Sequence, residues 1–441
     1  MLFSLDDLDD LAGTSSAQSD AEGKGKQPAT ETTNGSGSTV SELQAQLANL
    51  QSQFDAYREQ VSQTLEKRWS DTEGIEETST DYKAKKYDDQ YFESYSYNDI
   101  HQVMLQDAIR TDAYRDFIYE NKNIFKDKVV MDVGCGTGIL SMFCAKAGAK
   151  HVFAIDNSAI IDKARQIASE NGMLDHITFV RGKAEELDEL PGGIKEVDII
   201  VSEWMGYCLF FEAMLPSVLA ARDRFLKRRP DGSFEGLMAP SHCSILMAPM
   251  SDPDWMSDNI TFWNDVYGFN MHPMLEGAVE DAVVRNPKEG TIAGSAVNGK
   301  ALKVWDLHKT KVEDLQFCAP FKVKLNKDID ALDAWCIWFD ITFSPKVDAP
   351  DGGDTTDMEA MAKQPGAISF STGPEVKPTH WQSGVCVIER KGTQGKELKA
   401  GDVLEGTLQY EKGEQSRALE IEISWADEKG QESGKQLWKM R

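Results

Sequence analysis

The 441-residue sequence has no run of about 18 apolar residues, so no membrane-spanning helix is expected. It also lacks any CxxC pair. Its seven cysteines, at 135, 144, 208, 243, 318, 336 and 386, form an odd and scattered set. That excludes a disulfide framework and reads as reduced core thiols, so the expected compartment is the cytoplasm or the nucleus. No ordinary signal peptide is expected, because MLFSLDDLDDLAGTSS is acidic and its apolar run is interrupted. Basic charge is scarce as well: 47 Lys and Arg stand against 73 Asp and Glu, a formal net charge of −26. Such a chain repels phosphates, which argues against direct nucleic-acid binding and for basic partners, although solubility alone accounts for the charge equally well.

What is present is enough for several domains, with 41% hydrophobic residues and ten tryptophans. Residues 1–39 are rich in Ser, Thr, Gly, Asp and Glu and read as a disordered acidic and polar N-terminus. Ser41 and Gln44 form a capping box for an amphipathic helix within 40–70, carrying Leu43, Leu47, Leu50, Phe54, Tyr57, Val61 and Leu65. Barely three heptads could make a short coiled coil, but a helix docking on its own chain or a partner is the favoured reading. A polar stretch, 70–89, links it onward, and 71–126 reads as linker and N-terminal helices, with a helical pattern from Tyr91 to Lys126. Strand and helix then alternate over 127–236: strands at 128–133, 151–155, 177–180 and 197–202, helices at 139–147 and 159–170. This predicts an α/β, doubly wound parallel sheet. From 237 to 441, short apolar runs such as 244–247, 334–343, 384–389 and 418–425 predict an antiparallel β-barrel, with a helical aromatic insert at Trp255–Met271. The stretch 344–364 has loop composition.

Two segments carry chemistry. In Val130-Met131-Asp132-Val133-Gly134-Cys135-Gly136-Thr137-Gly138, an apolar strand runs into alternating glycines and then a helix. Glycines let backbone turn sharply and approach a ligand closely at the carboxyl end of a parallel strand. The spacing is not G-x-G-x-x-G, which disfavours a nicotinamide-dependent oxidoreductase. It resembles motif I of S-adenosylmethionine-dependent methyltransferases, with Asp132 ahead of Gly134 and Gly136. Asp156 lies 22 positions after Gly134, at the next strand end, and could accept from ribose hydroxyls. It could also cap the helix after Ser158. Ala184 and Glu185, after the third strand, lie where the adenine edge would be.

The second segment is Ser202-Glu203-Trp204-Met205-Gly206-Tyr207-Cys208-Leu209-Phe210-Phe211-Glu212. Two carboxylates returning to one cavity among aromatics are costly unless a cation sits between them. A guanidinium suits, being planar, always charged and able to meet carboxylates on more than one edge. A divalent metal and an acid/base pair are the alternatives, but the segment supplies no further His or Asp ligand, so no metal is expected.

SEWMGY…FE resembles the double-E loop of the protein arginine N-methyltransferases. Tyr91-Phe92-x-x-Tyr95 is similar to their YFxxY motif and Thr379-His380-Trp381 to their THW loop, and all occur in the family order from about Tyr91 onward. The resemblance implies S-adenosylmethionine as cofactor and Glu203 and Glu212 as the carboxylates that hold the guanidinium. It places His380 and Asp107 in the catalytic set as a pair that orients the Tyr91–Arg110 segment as a lid or accepts a proton after transfer, the orienting role being favoured. It assigns Tyr95, His101, Met104, Arg110, Asp132, Gly134, Gly136, Asp156, Ser158, Ala184 and Glu185 to the cofactor, Arg110 through the cofactor's carboxylate. Tyr91, Met205 and Trp381 fall to the substrate side. Met104 with an intact THW implies the type I class, which forms monomethyl and asymmetric dimethylarginine. Ser158 after Asp156 is similar to the subfamily that often carries an N-terminal zinc finger, yet the first cysteine here is Cys135, so a C2H2 finger is not expected. The insert at 253–286 resembles the family's dimerisation arm, implying a homodimer. Implied substrates are basic proteins with arginine–glycine-rich tails, or a ribosomal protein by subfamily analogy. The competing readings are a methyltransferase for another acceptor, for which the double-E loop has no evident use, and a non-catalytic scaffold, which would be expected to lose Glu203 or Glu212.

Overall fold

The computed structural model describes residues 80–390 and 395–441. The expected helix at 40–70 and the expected disorder at 1–39 lie outside the described residues. Four helices precede the first strand: α1 (Thr80–Ser94), α2 (Asn98–Gln106), α3 (Ala108–Glu120) and the short α4 (Lys122–Phe125). Two expectations need correction here. The polar 70–89 stretch is not all linker, since α1 covers its second half. And the pattern from Tyr91 to Lys126 is broken at 95–97 and again at Asp107, whose side chain accepts from the Arg110 N–H and so caps α3.

Strand and helix then alternate: β1 (Val129–Val133), α5 (Ile139–Lys146), β2 (His151–Asp156), α6 (Ile160–Glu170), β3 (Ile177–Arg181), β4 (Ile199–Val201), α7 (Leu215–Phe225) and β5 (Leu237–Ala239). The five strands form one parallel sheet in the order β3-β2-β1-β4-β5. The central strands are almost wholly buried, as continuous runs such as VVMDV and IIV require when both faces are covered, while the edge strand β3 is partly exposed. The order reverses between β1 and β4, and open sheets of this kind bind ligands at that switch point. The glycine loop and Glu203 both follow strands at this place.

The remainder is antiparallel: β6 (His242–Met250), α8 (Pro253–Asn259), β7 (Val283–Arg285), β8 (Lys303–Asp306), β9 (Phe317–Lys324), β10 (Ala334–Phe343), α9 (Met358–Ala362), β11 (Ile368–Ser371), β12 (Ser383–Val387), β13 (Val403–Lys412), β14 (Leu419–Asp427) and β15 (Ser433–Met440). One sheet runs β7-β12-β10-β6-β8, with β11 on β10, and the other β15-β14-β13-β9. Trp335 of β10 meets Phe321 of β9 at 4.9 Å and Trp425 of β14 at 6.4 Å, so the two sheets share a core as a barrel does. The aromatic insert is not one continuous helix. Asp252 caps α8 and Pro253 opens it, but a 3-10 turn over Thr261–Asn264 and left-handed Tyr267 and Gly268 end the helical path. The loop at 344–364 is likewise not wholly irregular, because it contains α9. Among the described residues no helix is long and apolar enough to cross a membrane.

Candidate active site

The loop after β1 takes up its shape because three of its residues lack side chains. Gly134, Gly136 and Gly138 have φ of 73, 52 and 80°. A Cβ on Gly134 would stand 2.3 Å from the Met214 methyl, and one on Gly136 would meet the His101 ring at 3.4 Å. The carboxylate of Asp156, at the end of β2, reaches across the edge: Oδ2 accepts from the Gly136 N–H at 2.8 Å. Its Oδ1 accepts from the Ser158 N–H at 2.8 Å and hydroxyl at 2.6 Å. Asp156 therefore holds the glycine loop and begins the next helix at once. His101 is buried, which lowers its pKa, and its Nε2 lies 2.8 Å from the Tyr95 carbonyl. Behind the loop Asp132 is fully buried, and burial pushes its carboxyl up to about 7. Ser141 donates to its Oδ2 at 2.6 Å, while Oδ1 has no partner, an arrangement suited to a protonated acid. Farther along the edge, beyond β3, Ala184 is buried and Glu185 accepts from Ser217 at 3.0 Å.

The loop after β4 is built differently. Gly206 allows its neck to close, since a Cβ there would lie 1.9 Å from the Phe211 carbonyl oxygen. The neck is sealed by reciprocal backbone bonds between Gly206 and Leu209 at 3.1 and 3.0 Å. Beyond it the backbone is left-handed at Cys208, Leu209, Glu212 and Ala213, with φ of 49, 74, 73 and 48°, none of them glycine. Such conformations cost on the order of 1 kcal/mol or more each and persist only where the surroundings enforce them. Glu203 receives Arg110 Nε at 2.9 Å and Nη2 at 2.6 Å, both on Oε2, with the two side chains only 7% exposed. Its Oε1 accepts from the Met205 N–H at 3.2 Å. Glu212 Oε2 accepts from the Tyr95 hydroxyl at 2.6 Å. Burial, reinforced by the nearby Glu203 carboxylate, raises the Glu212 carboxyl to about 7, against the lowering effect of the Tyr95 bond. The Tyr95 hydroxyl is itself raised far above its ordinary value, by burial first and then by Tyr91 and Glu212.

A third group props the other two. Asp107 Oδ2 accepts from the His380 N–H at 2.9 Å and from Nδ1 at 2.7 Å. Burial works to raise the Asp107 pKa, but these bonds and the Arg110 N–H outweigh it and hold the carboxylate below its usual range. One aspartate thus ties the barrel loop at 380 to the start of α3, the helix that carries Arg110. Trp381, 3% exposed, donates its indole N–H to the Met205 carbonyl at 2.9 Å. Trp381 therefore braces the double-carboxylate loop through the Met205 carbonyl. Met104 is half-buried, its carbonyl accepting from Arg110 Nη1 at 3.3 Å. Tyr91 packs on Tyr95, ring centroids 4.9 Å apart.

Three participants carry no local sequence signal: Arg417, Asp88 and Lys183. Arg417 lies between β13 and β14, and its guanidinium stacks over Tyr91 at 3.7 Å. It contacts Asp88 of α1 at 3.0 and 2.8 Å, and Lys183 reaches the same carboxylate at 2.7 Å. Only the Tyr91-Phe92-x-x-Tyr95 pattern, one turn beyond Asp88, marked this helix in the sequence.

Comparison with known proteins agrees with this architecture. Residues 241–430 match the arginine methyltransferase oligomerization subdomain, and 130–229 a methyltransferase domain. The chain is 40% identical to a ribosomal protein arginine N-methyltransferase, rmt3, of Schizosaccharomyces pombe, over 88% of this chain and 66% of that one. It is 44% identical to protein arginine N-methyltransferase 1 of the same organism, over 76% of this chain and 89% of the relative. Among solved structures, the Trypanosoma brucei PRMT1 enzyme-prozyme heterotetrameric complex with AdoHcy is similar with a TM-score of 0.66 and 31% identity, covering 79% of this chain and all of that one.

Proposed function

The chain belongs to the protein arginine N-methyltransferases, and on that premise we propose that Glu203 and Glu212 hold the guanidinium of the target arginine. It uses S-adenosylmethionine as methyl donor. The observation that carries the reading of the two glutamates is Glu212: a buried carboxyl raised to about 7, partly by a second carboxylate, is a site short of a cation. A guanidinium completes it. Both Arg110 nitrogens fall on one oxygen of Glu203, which leaves the second oxygen carrying only the Met205 N–H and able to accept again.

The cofactor fits the edge beside this pair. The left-handed glycine loop admits close approach of a ligand, Asp156 braces it from across the edge, and His101 lies against Gly136. When bound, S-adenosylmethionine supplies an electrophilic methyl group on a sulfonium. We assign Gly134, Gly136, Asp156, Ser158, His101, Ala184 and Glu185 to its pocket, with Asp132 supporting the loop from behind. Arg110 serves from the Glu203 side. Glu203 and Glu212 draw the guanidinium's charge toward the nitrogens they bind, so the remaining nitrogen is the better nucleophile. Tyr95 fixes the Glu212 oxygen, and Tyr91 and Tyr95 exclude water. The Asp107–His380 pair orients α3, and the product loses its proton to water.

The product we propose is asymmetric dimethylarginine, the type I outcome, on Met104 beside the site. Substrates would be basic, arginine–glycine-rich proteins, with a ribosomal protein among them, a reading that the name of the S. pombe relative supports. The protein would act as a homodimer. Tyr267 is 98% and Phe269 68% exposed on the arm, an apolar surface that a second copy would cover. All seven cysteines are free thiols, which suits the cytosol or nucleus.

The test is methylation of an arginine–glycine-rich peptide, with products identified by mass spectrometry, using wild type, Glu203→Gln and Glu212→Gln. Asymmetric dimethylarginine is expected from wild type, with kcat lowered by at least about 100-fold in each variant, the loss of a charge-assisted pair worth on the order of 3 kcal/mol. Near-normal turnover in either variant would sink the assignment, and symmetric product would overturn the reading of Met104.

A further inference from the structure

Arg417 ties together two separate parts of the molecule. Its Nε and Nη2 contact one oxygen of Asp88 in α1, at 3.0 and 2.8 Å, and its plane covers Tyr91 of the same helix at 3.7 Å. Its Nη1 donates to the Glu212 carbonyl at 2.7 Å, while its own carbonyl accepts the Glu212 N–H at 3.0 Å. Both backbone groups of Glu212 are thus held by one residue. Glu212 is also one of the four left-handed, non-glycine residues of its loop, a conformation that persists only under outside constraint. Lys183, from beyond β3 on the cofactor side, shares Asp88 at 2.7 Å.

We infer that Arg417 is a positioning residue that makes the closure of α1 over the site and the setting of the Glu212 backbone a single event. The inference rests on the reading of Glu212 as a guanidinium-binding carboxylate. With α1 in place, Asp88 and Tyr91 fix the guanidinium plane, and the plane fixes Nη1 on the Glu212 carbonyl. With α1 displaced, the guanidinium loses its stack and its counter-ion, and the strained Glu212 backbone loses a fixed donor. The protein then assembles the substrate carboxylate only under a closed lid, which confines turnover to a water-poor site. Lysine cannot replace arginine here, because a point charge neither stacks as a plane nor serves the aspartate and the carbonyl from separate nitrogens.

The experiment compares wild type, Arg417→Lys, Asp88→Asn, the double variant, Arg417→Gln and Glu212→Gln. Each is measured for kcat and KM, for the pH dependence of kcat/KM, and for thermal unfolding. Arg417→Lys and Asp88→Asn are each expected to lower kcat at least tenfold with little change in peptide KM. The double variant should be no worse than the poorer single one, because both break the same linkage. Arg417→Gln should move the acidic limb of the pH profile upward, which a loss of general stability would not do. Asp88→Asn leaves the β13–β14 hairpin untouched and keeps the test open if the Arg417 variants unfold. An active Glu212→Gln enzyme would overturn the reading of the site itself. An inactive Glu212→Gln enzyme, beside Arg417→Lys and Asp88→Asn within twofold of wild type, would overturn the linkage alone.

Discussion

The loops after β1 and β4 leave neighbouring strands at the same sheet edge, and both need left-handed backbone. The first meets that need with Gly134, Gly136 and Gly138, residues for which such φ values cost little. The second places the same conformation on Cys208, Leu209, Glu212 and Ala213. The glycine loop is close to self-sufficient: pattern and geometry coincide, and Asp156 on the adjacent strand completes it. The double-carboxylate loop is held from elsewhere, by Trp381 on the Met205 carbonyl, by Arg110 on Glu203 and by Arg417 on Glu212. A cofactor pocket can be made of bare backbone. A guanidinium pocket needs side chains at defined points, and so bears the conformational cost of having them.

The sharpest way to break this contrast is to add one methyl group to each loop. Gly206→Ala would drive a Cβ to 1.9 Å from a backbone oxygen that cannot move without opening the neck. It should cost about 1–3 kcal/mol of stability and abolish turnover, read by thermal unfolding and by product formation. Gly134→Ala meets only the end of the Met214 side chain, which can swing aside, though its φ of 73° remains strained. It should weaken cofactor binding by roughly tenfold, about 1.4 kcal/mol, while leaving the peptide KM alone. Equal damage from both would mean that the two loops are not differently built.

A second test uses protons. Glu212 titrates near 7 and must be ionised to hold a guanidinium, so kcat/KM should fall as pH drops through 7, by about tenfold per unit below it. Stability should run the other way. Its folded pKa lies above the ordinary carboxyl value of 4.5, so the native state favours the protonated form. The stability this gives is complete below about 4.5 and lost as pH rises through 7. Thermal unfolding should therefore show Glu212→Gln gaining on wild type as pH rises across that window. A constant gap would place the titrating group elsewhere.

The smallest expected effect is at Ala213, φ 48°. Ala213→Gly should relieve strain and raise stability by about 0.5 kcal/mol, seen as a small rise in Tm. A loss of stability there would mean that the loop's left-handed path carries no strain.

The same contrast explains what could be read in the sequence. The glycine loop, the strand–helix alternation and the two glutamates were legible because each is a local pattern with a local physical cause. The apolar runs likewise marked β10 and β14 as strands. Helix α1 was harder: its sequence TDYKAKKYDDQYFES has no apolar stripe, and its second half is held by Asp88 reaching Lys183 and Arg417. Arg417 gave no sign, since it follows a polar turn and acts on Glu212, 205 positions earlier, and on Asp88, 329 positions earlier. The aromatic arm misled in the opposite sense. Its residues have helical spacing, but α8 ends at Asn259, a 3-10 turn follows over Thr261–Asn264, and Tyr267-Gly268 then turns the chain back. Arg110, expected at the cofactor's carboxylate, also pairs with Glu203, a contact that only the fold could bring about.

The β13–β14 hairpin also sets an order of events during synthesis. Chains emerge from the N-terminal end and fold as they appear, so the glycine loop, both glutamates and the His380 segment are all made before Arg417. A nascent or prematurely terminated chain that stops after β12 would hold every recognisable motif and still lack the residue that secures Glu212. Competence would arrive late in translation.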